Sequence, residues 1–348
     1  MTLKVDIVGA TGAVGLELLR CLEQSSLTPD RLRLYASAKS AGASLDYAGR
    51  SLAVLALDEA SWLEEDNPAD IVFLAASEAL SRRLGRRLAA RGQIVIDNSS
   101  VFRMEDDVPL VVPEINAALI KSGEARLIAN PNCSTIVALM ALAPLHEAFG
   151  LRSFVASTYQ AVSGVGQSGI AELKAQSQAA LAATSSEAAE VVAEDSAAQV
   201  FARPMAFNLI PWIGEGMAGK DTSEELKMQR EARKILALPD LEVFCTAVRV
   251  PVFRAHAVSI VAVFQNQAKV AAAAQVLEGT SGVRFQCPGT AAEVWTPRDA
   301  AAKDEVLVTR LREVAGAEPR LGLFAIGDQL RKGAALNAVQ IAETFQGI

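Results

Sequence analysis

Lys4-Val5-Asp6-Ile7-Val8-Gly9-Ala10-Thr11-Gly12-Ala13-Val14-Gly15 is the stretch on which the reading of the fold turns. A short apolar run ends in a G-x-x-G-x-x-G turn, and the residues that follow carry apolar side chains at helical spacing. Glycines in a strand-to-helix turn let the backbone bend sharply and come close to a pyrophosphate, which then sits at the positive end of the helix. Alone the pattern is weak, because small residues also ease packing in such turns. Its place on the first strand of a βαβ unit makes it a dinucleotide cradle, with Gly9, Thr11, Gly12, Ala13 and Val14 as the candidate contacts.

Residues 31–35, 70–75, 93–97 and 126–129 read as further short buried strands, with helical patterns at 14–23 and 78–91 between them. That alternation predicts a parallel sheet with helices on both faces, a Rossmann-like domain. Past Asn130 the texture changes. A helix is expected over 134–149, stopped by Gly150. Longer β-like runs follow at 154–159, 241–252 and 257–264, around an Ala/Glu-rich helical segment from 168 to 200 whose biased part, 179–198, suits a surface helix. This second region is expected to be an α+β domain. Residues 331–345 again show helical spacing, after Gly327-Asp328.

At 348 residues two domains are the natural expectation. Apolar residues make up 51% and charged residues 21%, a globular profile. With 33 basic against 40 acidic residues the formal charge is −7, and no basic block appears, which argues against nucleic acid or an anionic membrane as partner. Met1-Thr2-Leu3-Lys4-Val5 leads straight into a strand and no apolar run reaches the length of a membrane span, so neither a targeting leader nor a span is expected. Cys21, Cys133, Cys245 and Cys287 lie far apart, with no C-x-x-C pair. No metal site and no disulfide framework is therefore expected, and a reduced cytoplasmic setting fits.

An NAD site tends to place an acid at the end of the second strand, about 20 residues past the glycines. Here that strand runs into Tyr35-Ala36-Ser37-Ala38-Lys39-Ser40, with no acid, and Ser37 and Lys39 suit a 2′-phosphate. The reading is NADP. Cys133, in Asn130-Pro131-Asn132-Cys133-Ser134-Thr135, directly precedes the helical pattern, and Asn132 is a plausible cap. In a first turn, unpaired N–H groups and the helix dipole favour a thiolate, able to attack an aldehyde or an acyl phosphate. Of the two histidines, His146 lies in the body of a helix and reads as structural. His256, after a predicted strand, is the better acid/base candidate.

This combination resembles the aspartate-semialdehyde dehydrogenase family nearly end to end. The glycine turn is similar to that family's NADP turn, and Asn98-Ser99-Ser100-Val101-Phe102-Arg103-Met104 with Asp107-Val108-Pro109 through Glu114 resembles its next block. Asn130 to Ile136 resembles its nucleophile motif, and Thr158-Tyr159-Gln160-Ala161-Val162-Ser163-Gly164 its substrate-orienting strand. Glu224-Glu225-Leu226-Lys227, Arg249 through His256, and Gly333-Ala334-Ala335-Leu336-Asn337 to Gln340 follow in the family's order. The resemblance implies Cys133 as nucleophile, His256 as general acid/base and Gln160 as the group that positions the substrate carbonyl. It implies Glu224 and Arg249 on the substrate's amino and carboxylate groups, and Arg103 and Lys227 on phosphate. It also places Ser163, Gly164 and Asn337 toward the cofactor, and thereby joins a C-terminal helix, about 331–348, to the NADP-binding domain of residues 1–131. Residues 132–330 then form the catalytic and oligomerisation domain.

The implied reaction is NADPH-dependent reductive dephosphorylation of aspartyl phosphate to the semialdehyde through a Cys133 thioester, on the route to lysine, threonine and methionine, by a homodimer or homotetramer. Two departures stand out: Lys39 where many members carry Arg, and Arg254-Ala255 in place of a small or polar residue plus Gly before His256. Two rival enzymes share the chemistry: an N-acetylglutamyl-phosphate reductase, whose motif usually reads Gly-Cys-Tyr against Asn132-Cys133-Ser134 here, and a malonyl-CoA reductase. A rival from another class is a catalytically inactive paralogue, against which the joint presence of Cys133, Gln160, Arg249 and His256 argues.

Overall fold

A computed structural model of the chain describes residues 3–182 and 200–346, so most of the biased segment at 179–198 lies outside the described residues. The chain divides into two compact units. One comprises Met1–Ile136, Arg233–Pro239 and Leu330–Ile348, the other Val137–Ala232 and Asp240–Gln329.

The first unit is built on a seven-stranded sheet in the order β3-β4-β2-β1-β5-β6-β7. Its strands are β1 (Lys4–Val8), β2 (Arg31–Ala36), β3 (Ser44–Tyr47), β4 (Arg50–Ala56), β5 (Ile71–Leu74), β6 (Ile94–Asp97) and β7 (Leu127–Ala129). All pairings are parallel except β3 with β4. The helices are α1 (Ala13–Glu23), α2 (Glu59–Leu63), α3 (Glu78–Ala90) and the short α4 (Pro113–Asn116). Five strands expected from apolar runs are present, each within a residue or so at its ends. The β3–β4 hairpin escaped that reading because Ser44-Leu45-Asp46-Tyr47 is half polar and lies at the sheet edge. Its turn is Ala48-Gly49, with φ of 49° and 72°, the left-handed pair a two-residue hairpin requires. Ile7, Leu34, Phe73 and Ile96 are fully buried, and Leu18 and Leu22 of α1 pack with them.

The C-terminal helix α10 (Leu336–Gln346) shares this core through Ala338, Val339, Ile341 and Ala342. It does not start as a regular α-helix. Residues Arg331–Ala335 form a π-turn, closed by the Ala335 N–H on the Leu330 carbonyl. Such wide turns accommodate side chains that a regular turn would misdirect. Here Arg331 reaches Glu17 at 3.0 Å and Lys332 is buried against Glu114.

The second unit holds a six-stranded sheet in the order β11-β12-β13-β10-β8-β9. Its strands are β8 (Leu151–Gln160), β9 (Glu242–Arg249), β10 (His256–Phe264), β11 (Val283–Phe285), β12 (Val306–Glu313) and β13 (Arg320–Gly327). Helix α5 (Cys133–Phe149) leads into it, followed by α6 (Gln167–Ala182), α7 (Ser223–Ile235), α8 (Val270–Glu278) and α9 (Pro297–Ala300). β12 was not expected because its alternation is broken at Arg310, where φ is 60° and the pairing register with β13 shifts between Thr309 and Arg312. β9 is shorter than the 241–252 run because Val250-Pro251 leaves the ladder, and His256 consequently opens β10 where it was expected to follow a strand. No helix among the described residues is long and apolar enough to cross a membrane.

The crossover order puts β1 beside both β2 and β5, the switch point at which α/β sheets open a crevice. Gly9 there has φ of 88°, and a Cβ on it would lie 2.2 Å from the Ala75 carbonyl oxygen. A Cβ on Gly15 would meet the Gly9 oxygen at 2.2 Å, whereas one on Gly12 comes no nearer than 3.3 Å. The first and third glycines are thus demanded by the chain's own packing, and the middle one is exposed. Gly9→Ala should lower stability by roughly 2–4 kcal/mol and Gly12→Ala by less than about 1 kcal/mol, read as urea midpoints; equal effects would contradict this division of roles.

Candidate active site

At the mouth of the first unit's sheet, the turn after β1 is latched by the Gly9 and Ala10 N–H groups on the Tyr35 carbonyl, at 2.8 and 3.1 Å. Gly12 is the N-cap of α1, which has no side-chain cap and no acid in its first turn. An uncapped, unacidified helix start retains both its N–H donors and its dipole for an anion. Ser37 and Lys39 are exposed, Lys39 on the 3-10 turn Ala38–Ser40 that follows β2 and Ser37 immediately before it. This cradle fits a dinucleotide.

In the same unit Cys133 is the first residue of α5, and the Ile136 N–H already bonds the Asn132 carbonyl at 2.9 Å. The thiol is partly exposed, with its Sγ 3.6 Å from Asn132 Oδ1. The Asn132 amide also donates to Ser134 Oγ at 3.0 Å. Asn130 anchors the loop, donating to Asn98 Oδ1 at 3.0 Å and to the Ala334 carbonyl at 3.1 Å. Arg103 is buried and donates to the Asn98 carbonyl at 3.1 Å. Its own carbonyl, with those of Glu105 and Val108, accepts from the Lys234 ammonium. Burial pulls the Lys234 pKa down from its ordinary value, against the pull of the nearby acids.

Asn337 is fully buried and donates to the Val111 carbonyl at 2.9 Å and to Asn130 Oδ1 at 2.6 Å, while its Oδ1 accepts from Lys332 Nζ at 2.9 Å. Both amide hydrogens of Asn337 are therefore engaged within the unit.

In the second unit the ends of three neighbouring strands converge. Gln160 closes β8 in register with Arg249, the last residue of β9, and His256 opens the adjacent β10. Between them the Ala161 peptide serves two partners. Its N–H donates to His256 Nδ1 at 3.1 Å, and its carbonyl accepts from Arg249 Nη1 at 2.8 Å. Gln160 Nε2 donates to Glu224 Oε1 at 3.0 Å, and the other carboxylate oxygen of Glu224 takes Lys227 Nζ at 3.4 Å. Glu224 and Lys227 share one face of α7, three residues apart. Gly164 leaves the space these groups need: a Cβ there would stand 2.9 Å from Arg249 Nη1 and 3.4 Å from the His256 ring. Ser163 is buried, donating to the Phe253 carbonyl and accepting from Gln329.

Because Nδ1 of His256 accepts a backbone hydrogen, the neutral ring carries its proton on Nε2. That nitrogen, like Gln160 Oε1, is buried with no hydrogen-bond partner among the described residues. Burial, reinforced by the Arg249 charge and opposed by Glu224, holds the imidazole pKa down at about 3. His146 is structural as expected, its Nδ1 accepting the Leu151 N–H at 3.1 Å. Two supports escaped the sequence reading: Ala161, whose role is entirely backbone, and Gln329, in β13's trailing loop.

The comparisons agree with this geometry. Residues 4–123 match the model described as "Semialdehyde dehydrogenase, NAD binding domain", and residues 142–332 match "Semialdehyde dehydrogenase, dimerisation domain". The chain is 42% identical to an aspartate-semialdehyde dehydrogenase of Streptomyces akiyoshiensis, covering 98% of each chain. The solved aspartate semialdehyde dehydrogenase II of Vibrio cholerae matches with a TM-score of 0.91 and 37% identity, over 100% of this chain and 99% of that one. The same enzyme complexed with ASA matches with a TM-score of 0.89, again at 37% identity over 100% and 99% of the two chains. The fold is that of an oxidoreductase with a Rossmann-type dinucleotide-binding domain. More narrowly, the chain belongs to the aspartate-semialdehyde dehydrogenase family.

The lowered His256 pKa links the site to stability. Between about 3 and 6.5 the unfolded chain binds a proton at this residue that the folded chain refuses. This contribution is complete above pH 6.5 and is lost as pH falls toward 3. His256→Asn should therefore narrow the difference between urea midpoints at pH 7.5 and pH 5, and an unaltered difference would contradict the buried neutral imidazole.

Proposed function

We propose that the chain is an NADP-dependent, phosphorylating aspartate-semialdehyde dehydrogenase in which Cys133 is the nucleophile and His256 the proton-holding partner. The single observation that carries the reading is the Ala161 peptide, which fixes an imidazole and a guanidinium beside Gln160 and Glu224 at one set of strand ends. Arg249 offers the planar fork that a substrate carboxylate needs, and Glu224 the negative charge for its ammonium. Lys227 and Arg103 supply positive charge for phosphate.

Gly9, Thr11, Gly12, Ala13 and Val14 would hold the cofactor's pyrophosphate, and Ser37 and Lys39 its 2′-phosphate. Ser163 and Gly164 would border the nicotinamide side, and Asn337 would serve it through Asn130, the residue it fixes. Bound NADP supplies the hydride acceptor in the oxidising direction and the donor in reverse.

The protein's own steps follow. The Cys133 thiolate bonds to the aldehyde carbon, and the carbonyl electron pair moves onto oxygen. The Nε2–H of His256 and the amide of Gln160 steady that oxygen. After oxidation the substrate is a thioester on Cys133. A phosphate oxygen then attacks its carbonyl carbon, the C–S bond breaks, and Cys133 leaves as thiolate with aspartyl phosphate as product. A reducing cytoplasm suits a free catalytic thiol.

The active form is a homodimer or a homotetramer assembled from dimers. Val155 and Phe244 are register partners on β8 and β9, are 49% and 60% exposed, and lie on one sheet face with Tyr159. Exposed apolar side chains grouped on a sheet face call for a partner, and a second copy offers the matching surface. Phe244→Asp should shift sedimentation toward the monomer; an unmoved assembly state would reject this face.

The activity test is phosphate-dependent formation of NADPH from aspartate semialdehyde. The comparisons put NAD in place of NADP and acetylglutamate semialdehyde in place of the substrate, and follow consumption of NADPH when malonyl-CoA is supplied. Cys133→Ala should remove turnover by at least about a thousandfold while NADP binding persists. No formation or consumption of NADPH with any of these substrates would favour the inactive paralogue, and a preference for another substrate one of the rival reductases.

A further inference from the structure

Ala255, immediately before His256, is fully buried with φ of 73°. A side-chain-bearing residue rarely adopts this left-handed conformation, and it persists only where the surroundings over-determine it. Those surroundings are explicit. The Ala255 N–H donates to Gln329 Oε1 at 2.9 Å, and Gln329 Nε2 donates to Ser163 Oγ. Ser163 Oγ in turn donates to the Phe253 carbonyl, and the Val162 N–H holds the Val252 carbonyl at 2.9 Å. On the residue between, Arg254 Nε meets Asp328 Oδ2 at 2.5 Å. Asp328 is fully buried and accepts the Ala302 N–H at 2.6 Å on the same oxygen.

We infer that the Arg254–Asp328 ion pair is a positioning device for His256, holding the strained Ala255 so that the imidazole enters β10 with Nδ1 on Ala161 and Nε2 directed away from it. The inference rests on the reading of His256 as a reaction partner. Its physical content is that one charge pair and one amide bond offset the cost of a left-handed alanine, a cost that glycine would not carry. Without Arg254 the turn relaxes toward ordinary φ values, and the register that sets His256 against Ala161 loosens. Displacements of about 1 Å at a reacting group lower rates by roughly a hundredfold.

Three variants of the full-length protein test this: Arg254→Met, Arg254→Met with Ala255→Gly, and His256→Asn. Arg254→Met should lower kcat by about 10- to 100-fold with KM for aspartate semialdehyde within about twofold, and the added glycine should return kcat to within about threefold of the parent. The His256 Cε1–H proton signal, identified by its loss in His256→Asn, should move in Arg254→Met and return in the double variant, a readout independent of turnover. An unchanged kcat and signal, a loss that glycine does not rescue, or an effect confined to KM would each overturn the inference. If Arg254→Met fails to fold, Asp328→Asn poses the same question, since its amide oxygen still accepts the Ala302 N–H. Full activity in His256→Asn would remove the catalytic reading of His256, while the proton signal would still decide whether Arg254 positions the ring.

Discussion

One peptide unit organises the polar cluster at the second unit's strand ends. The N–H of Ala161 is spent on His256 and its carbonyl on Arg249, so an imidazole and a guanidinium are oriented by a group that cannot rotate away. A side chain in that place would cost conformational entropy to hold, whereas a backbone amide between a strand end and the following turn is already fixed. The arrangement also chooses the histidine's chemistry. With Nδ1 accepting and the ring buried beside a guanidinium, the imidazole stays neutral and presents a donor at Nε2. Such a ring is suited to meet a carbonyl oxygen as negative charge develops on it, because the donor is in place before the charge arrives.

The first unit solves a related problem with amides and a buried cation. Asn337 and Asn130 form a chain that ends on Asn98, and Lys332 anchors it from the far side while contacting Glu114 and Gln340. Lys332 is only 1% exposed, and burial lowers its pKa, opposed by Glu114. A lysine buried with an acid and two amide oxygens adds little net stability compared with an apolar core, but removing either partner strands the other. Through Asn337 it holds Asn130, the first residue of the Asn130-Pro131-Asn132 loop that leads into α5. The π-turn at Arg331–Ala335 is the backbone's accommodation to this network, since it lets Arg331 and Lys332 reach different acids, Glu17 and Glu114.

The sheet of the first unit was legible because fully buried parallel strands read as bare apolar runs, and Val5, Ile71 and Ile96 leave no ambiguity. The glycine turn was legible for a steric reason, since Gly9 and Gly15 sit where a Cβ has no room. Cys133 was legible through its position at a helix start. The residues that organise these parts were not. Ala161 acts through atoms every residue possesses, and Lys332 is indistinguishable in sequence from a solvated lysine at the start of a helix. Asn337 was legible as a position, while the partners of its amide, Asn130 and Val111, lie more than 200 residues earlier in the chain and carry no local signal. β12 was hidden by its own irregularity at Arg310, where the bulge breaks the alternation by which strands are read.

Burial and position in the fold separate the four thiols, which composition cannot. Cys21 and Cys245 are buried, and at Cys245 desolvation with Glu225 and Glu224 nearby pushes the thiol up to about 12, so it remains protonated. Cys287 is exposed, but it lies in the irregular segment after β11 and heads no helix. Cys133 has both requirements, partial exposure and the first position of a 17-residue helix whose opening N–H groups lie within one turn of the sulfur. A nucleophile needs access for the carbonyl and donors for the charge that follows. At Cys133 both are present, and Asn130, tied to Asn337 and Asn98, lies in the loop that leads directly into that helix.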